Sequence, residues 1–256
     1  MKFIYLRLVL NKFFMSQIII LDTETTGLDE NSRLVQLAYK NFTNGEVVNA
    51  FFKPPILISY GAMATHHITN EMVADKPSFF DSQEKINLIR DLEIGILVAH
   101  NALFDINVLN NEDVAVEKYI DTLRVTKHLI DCERYDLQYL RYYLNFDLPQ
   151  ATAHDALGDI LILEKLFEYL KNLVKTKLSL NNDDQVFKKL MELTNLPILL
   201  NTISFGKYRG KTFEEINRID SGYLQWLYDS ESKKNQNEQN ESLIYTLKQH
   251  LYLEKF

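Results

Sequence analysis

Three short stretches of this chain bring together residue types able to cut a phosphodiester. Asp22-Thr23-Glu24 follows the apolar run Gln17–Leu21. On a strand, residues two apart point the same way, so both acids face one side of a sheet. Two carboxylates that close repel each other unless a cation lies between them; the same triplet also suits a polar strand end turned to water. Asp105 comes four residues after Asn101, a candidate cap for a helix following the apolar run Gly95–Ala99. A carboxylate in that first turn is favoured by the helix N-terminus, which is also ordinary capping chemistry. The third stretch is His154-Asp155-Ala156-Leu157-Gly158-Asp159. Five residues advance about 140° beyond a full helical turn, which puts His154 at a loop–helix junction and Asp159 one turn inward. Asp155 and Asp159 share a face, and spacing does not say which of them would hold a metal. Gly158 within a helix costs about 1 kcal/mol relative to alanine, a cost that a close approach to the backbone would explain.

Acids from separate elements with one histidine meet the needs of hydrolysis by two divalent ions, which lie about 3.5–4 Å apart and stabilise the attacking and leaving oxygens. Hard oxygen ligands without cysteine suit Mg²⁺ or Mn²⁺. An imidazole, with an ordinary pKa of about 6.5, is the natural acceptor for the proton of the attacking water.

The elements that must position these groups are readable in outline. Residues 17–21, 34–39 and 46–52 read as antiparallel strands, the last two joined by a turn at Asn44-Gly45. A helix from Phe79 to Leu92, a buried strand at 95–99 and a short strand at 117–121 follow, then helices through Leu129, after Asp136, and from Asp155 to Val174. Strands followed by alternating helices and strands give an α/β fold, a mixed five-stranded sheet with flanking helices. The polar stretch 177–201 reads as a linker with a short helical segment. Residues 202–256 read as a small C-terminal module with a mobile polar insert at 229–242 and a last helix from Leu243 to Leu253. Within it, Lys207, Arg209 and Lys211 alternate with Gly206, Tyr208 and Gly210. An extended stretch would project all three cations on one side as a phosphate-contacting patch. Trp226 reads as core, on a face with Tyr223 and Leu227.

The chain has 28 basic and 35 acidic residues, a net charge of −7, which argues against a protein that coats nucleic acid but not against an enzyme acting on it. Its single cysteine, Cys132, excludes an intrachain disulfide and a cysteine zinc cluster and suits a reducing cytoplasm. The basic, apolar start lacks a cleavage site and is too short to span a bilayer, so residues 1–15 read as an N-terminal extension without function and no membrane role is expected.

With these motifs in hand the chain resembles the DEDDh exonucleases, the superfamily of the proofreading subunit of bacterial replicative polymerase, ribonuclease T and oligoribonuclease. Asp22 to Leu28, His100 to Asp105 and His154 to Asp159 match its three motifs in order. The resemblance implies a ribonuclease H-like fold for residues 16–176, Asp22, Glu24, Asp105 and Asp159 as metal ligands and His154 as general base, with Asp155 left out. It implies that a strand with a free 3′ end enters beside Thr25, Gly27 and Leu28, the leucine wedging against the terminal base. Phe104 is then a second apolar contact or simply core, and His66 a phosphate contact or a local cap. Ile58 to Val73, with Phe205–Lys211 and Gly222–Leu227, points to the exodeoxyribonuclease X branch, hence to DNA, single-stranded or duplex, and to repair. Exoribonuclease activity on RNA, a polymerase-bound proofreading role and a non-catalytic binding protein are the alternatives. Monomer and homodimer both remain open.

Overall fold

The structure, a computed structural model, describes residues 17–148 and 156–251. The expected N-terminal extension, His154 and Asp155 lie outside them. The chain divides into two compact units between Thr194 and Asn195.

The first unit holds a five-stranded sheet. Strands β1 (Gln17–Thr25), β2 (Leu34–Asn41) and β3 (Val47–Phe51) run antiparallel, and β4 (Gly95–Ala99) and β5 (Tyr119–Asp121) lie parallel to β1, in the order β3-β2-β1-β4-β5. This is the expected mixed α/β sheet. Around it lie α1 (Tyr60–His66), α2 (Gln83–Ile94), α3 (Ala102–Asn111), α4 (Thr122–Leu129), α5 (Leu137–Tyr143), α6 (Ala156–Lys177) and α7 (Asp183–Asn195). Strand alternation sorts the core into two layers. Ile18 and Ile20 pack with Ile160, Leu163 and Phe167 of α6, whereas Ile19 and Leu21 pack with Leu88 of α2 and Ile106 of α3.

Several elements differ from their sequence reading. The helix expected from Phe79 starts at Gln83, because Ser82 caps it through the Lys85 amide. The β2–β3 connection is wider than two residues; the Asn41 carboxamide accepts from the Thr43 and Asn44 amides and holds it open. The stretch expected as a linker carries α7, which buries Val186, Phe187, Leu190 and Leu193 in the α6 layer. Its apolar spacing is that of an amphipathic helix, masked in the sequence by the charged residues between.

The second unit has its own core of Ile203, Phe213, Ile216, Leu224, Leu227, Leu243 and Leu247, built by α8 (Phe213–Ser232) and α9 (Glu241–His250). The last helix thus folds back as expected. The polar insert 229–242 departs from expectation: it continues α8 to Ser232 and adds a 3₁₀ turn at Gln236–Glu238. Glu231 fastens it, accepting from the Asn240 amide at 2.8 Å and pairing with Lys234 at 2.8 Å. Among the described residues no helix is long and apolar enough to cross a membrane.

Candidate active site

Asp22 and Glu24 occupy the end of β1 on the side where α6 packs, as alternation requires. Asp159 stands in the first turn of α6, on the stripe that continues through Leu163. Oxygen atoms of these three carboxylates lie within 4.8 Å of one another. A register shift between Glu24 and Thr25 bends the strand as it leaves the sheet. Gln138 of α5 donates from Nε2 to Asp159 Oδ1 at 3.0 Å and steadies that carboxylate.

Asp105 is placed differently. It lies in the first turn of α3, is buried, and its Oδ1 accepts from the Thr23 hydroxyl at 2.8 Å. Thr23 alternates with the two acids, so it faces the α3 layer. Three of the four expected ligands thus lie in one cluster, while Asp105 is held by the hydroxyl of the residue between Asp22 and Glu24. Burial pushes the Asp105 carboxyl up to about 7, with Asp121 adding to the rise and the Thr23 hydroxyl and a backbone amide opposing it. Asn101 stands at the cap position of α3 with left-handed backbone but makes no side-chain cap; its amide donates to Asp121 instead, at 3.1 Å. The Arg33 guanidinium pairs with buried Glu112 at 2.8 and 2.9 Å, tying the far end of α3 to the start of β2.

Three carboxylates this close repel each other when ionised unless a cation lies between them. An all-oxygen donor set of this kind fits a hard divalent cation. His154, expected as general base, and Asp155 lie outside the described residues.

Beside the acids opens a cleft of about 430 Å³, lined by Thr23, Glu24, Thr25, Gly27, Leu28, Ser59, Gly61, Ala62, Thr65, His66 and Phe104. The five residues expected there from the first unit are all present. Leu28 stands on the rim, 89% exposed. Phe104 unites its two readings, lining the cleft while packing on the core layer that holds Ile106. A β-carbon at Gly27 would make only ordinary contacts, the nearest 3.5 Å away, so the protein itself does not demand glycine there.

His66 resolves toward a brace. Its Nδ1 accepts from the Ile68 amide at 3.0 Å, so the neutral ring carries its proton on Nε2, which donates to the Thr25 carbonyl at 3.1 Å. Burial lowers its pKa below the ordinary histidine value. Both nitrogens are committed to backbone, which leaves none for a phosphate. The Ser59 amide donates to the Thr26 carbonyl at 2.9 Å and completes the clamp of α1 on the β1 loop.

The second unit corrects two readings. Phe205–Lys211 is not an extended strand: Gly206 and Gly210 take φ of +67° and +85°, and the residues between them form turns. Alternation therefore does not align the cations, and Lys207 pairs with Asp220 at 3.2 Å. Trp226 is not core but 59% exposed, because the face of α8 that packs inward carries Leu224 and Leu227. In the first unit, sequence reasoning missed Thr23 and Gln138. Strand alternation marks Thr23 as facing away from the acids; no local signal marks Gln138.

A mixed sheet bearing a carboxylate cluster at the end of its central strand, beside a part-apolar cleft, defines a hydrolase of phosphodiesters. The sequence profile of the exonuclease family (RNase T) matches residues 19–167, and that of the exodeoxyribonuclease X-like C-terminal region matches residues 203–232. The chain belongs to the exonuclease family and is a 3′→5′ exonuclease of the DEDDh type. It is 32% identical to exodeoxyribonuclease 10 of Escherichia coli K12, over 82% of this chain and 90% of that one. It is 29% identical to the DNA polymerase III subunit epsilon of Buchnera aphidicola (subsp. Acyrthosiphon pisum), over 82% and 94%. Among solved structures, exonuclease X in complex with 5′ overhanging duplex DNA superposes with a TM-score of 0.52 at 26% identity, covering 70% of this chain and 99% of that one. The E. coli ExoI–ssDNA complex shares the fold, with a TM-score of 0.52 at 19% identity over 69% of this chain and 43% of that one.

Proposed function

We propose that the chain removes nucleotides from the free 3′ end of DNA, single-stranded or duplex, as nucleoside 5′-monophosphates, with a role in repair. The observation that carries the reading is the Asp22–Glu24–Asp159 cluster opening, through Glu24, onto the cleft. DNA as substrate is supported by the relative named as an exodeoxyribonuclease and by the DNA in the complex of exonuclease X.

Asp22, Glu24 and Asp159 would hold two divalent cations, Mg²⁺ or Mn²⁺, with Asp105 as fourth acid. Bound there, the ions supply the positive charge that stabilises the attacking and leaving oxygens. The rest falls to the chain. Gln138 keeps Asp159 in place, and Thr23 holds the Asp105 carboxylate. Leu28 and Phe104 take the terminal base between apolar surfaces, Thr25 and Gly27 approach sugar and phosphate, and His66 holds that wall. His154 takes the proton from water.

End-labelled DNA incubated with Mg²⁺, Mn²⁺ or EDTA tests this directly. Stepwise loss from the 3′ end is expected with either ion and none with EDTA. D22A and D159A should abolish it, whereas H154A should keep its metal affinity and lose about a hundredfold in rate or more. Turnover in EDTA, or undiminished in D22A, would refute the mechanism. Far faster degradation of a matched RNA would transfer the substrate to RNA.

A further inference from the structure

The second unit carries an aromatic ladder that the exonuclease chemistry does not use. The Tyr208 and Tyr223 rings meet edge to face at 4.9 Å, and Tyr223 and Trp226 follow at 5.6 Å, tilted by 38°. Trp226 ends the ladder and is 59% exposed. At the other end Lys207 Nζ lies 4.7 Å from the centre of the Tyr208 ring.

The arrangement is locked in place by Asp220, at the kink of α8. Its carboxylate accepts from the Tyr208 hydroxyl at 2.7 Å, from Lys207 at 3.2 Å and from the Tyr223 amide at 3.2 Å. One acid thus ties the turn to the helix. Gly206 lets them meet: its φ is +67°, and a β-carbon there would stand 3.0 Å from the Tyr223 hydroxyl. A fixed aromatic surface loses little freedom when a ligand stacks on it. Two cations follow Tyr208 in the chain: Arg209 and Lys211 are exposed and make no ion pair among the described residues. Of the acids on α8, Glu214 pairs with Arg218 at 3.9 Å, Glu215 accepts from the Thr212 amide, and Asp229 accepts from the Gln225 carboxamide at 3.0 Å.

We propose that this face is a second nucleic-acid site, which binds an unpaired strand by stacking a base on Trp226 while Arg209 and Lys211 contact its phosphates. Exposed aromatics accept any base by its π face, and flanking cations follow the backbone, so the site is tolerant of sequence and favours single strands. The proposal rests on the exonuclease reading only in that the strand held here is the one to be degraded.

Trp226 is the chain's sole tryptophan, so its fluorescence reports the site directly. The full chain in EDTA is titrated with an oligothymidylate of about 20 nucleotides, longer than one binding site. Saturable quenching, weakened by salt, is expected; an abasic strand of equal length and a duplex should quench far less. No quenching by the oligothymidylate, or equal quenching by either control, overturns the proposal. An emission shift that follows protein concentration without nucleic acid would assign the face to a second copy instead. By anisotropy of the labelled oligonucleotide, W226A should bind about fivefold more weakly or worse, and W226F should recover most of the loss. Unchanged affinity in W226A also overturns it. Because no turnover is needed, D22N should abolish degradation yet keep the quench, so the two readings fail separately.

Discussion

His66 spends both imidazole nitrogens on backbone, and this gives the cleft wall a pH limit. Burial favours the neutral ring in the folded chain, whereas an unfolded histidine titrates at about 6.5. The stabilising contribution is therefore complete above about 6.5 and is lost as pH falls from there through the depressed folded value. Nitrogen NMR of the ring should show the Nε2-protonated tautomer persisting below pH 6.5; titration at or above the ordinary value would mean that the brace is not formed. Thr23 supports a parallel expectation. T23V keeps the shape but takes the hydroxyl donor from buried Asp105, which should cost about 1–3 kcal/mol of stability, read by urea denaturation. These residues mark how far the site was legible. Asp22 and Glu24 were readable because the strand period is strictly two. Asp105 was readable as an acid at a helix start, but nothing local says on which side of the sheet that helix returns. Thr23 passed as a spacer because a hydroxyl between two acids shows its partner only once α3 is packed.

At the scale of elements, the catalytic strands depend on a junction with no loop. Helix α2 ends at Ile94 and β4 begins at Gly95. A β-carbon on Gly95 would lie 2.5 Å from the Asp91 carbonyl oxygen and 3.3 Å from that of Gln17, and neither is the yielding tip of a side chain. G95A should lose about 1–3 kcal/mol, toward the upper end because backbone must move. G222A meets only the Asp220 carboxylate at 3.7 Å and should instead gain about 0.4–1 kcal/mol through its unfolded state. Equal urea midpoints for the two variants would contradict this account. Elements with strict periods were legible: β1, β4 and α6 follow their apolar spacing closely. Two of the misreadings share one cause, since lysine, asparagine and glutamate fill exposed helix faces and loops alike. Residues 177–201 and 229–242 looked like connections for that reason, and Phe205–Lys211 looked extended because alternation was counted through two glycines that turn the chain.

For the whole molecule, charge and core divide along the same boundary. Residues 195–256 hold eight basic and eight acidic residues, so the net charge of −7 belongs to the part of the chain that carries the carboxylate cluster. A polyanion meets that unit against its net charge, which places the burden of attraction on bound divalent ions and local cations. Each unit also closes its own core: the layers around the sheet draw on residues up to Leu193, and the cluster around Ile216 draws on residues from Leu200 onward. A unit of this second size rarely holds more than about 3–5 kcal/mol. I216A removes a fully buried side chain and should cost about 2–5 kcal/mol, enough to consume most of that margin. Hydrogen exchange followed by mass spectrometry should then show protection lost across α8 and α9 while β1 and β4 stay protected. Loss of protection in β1 and β4 as well would show that the two cores unfold as one. Protection kept throughout would show that the second unit is far more stable than its size allows.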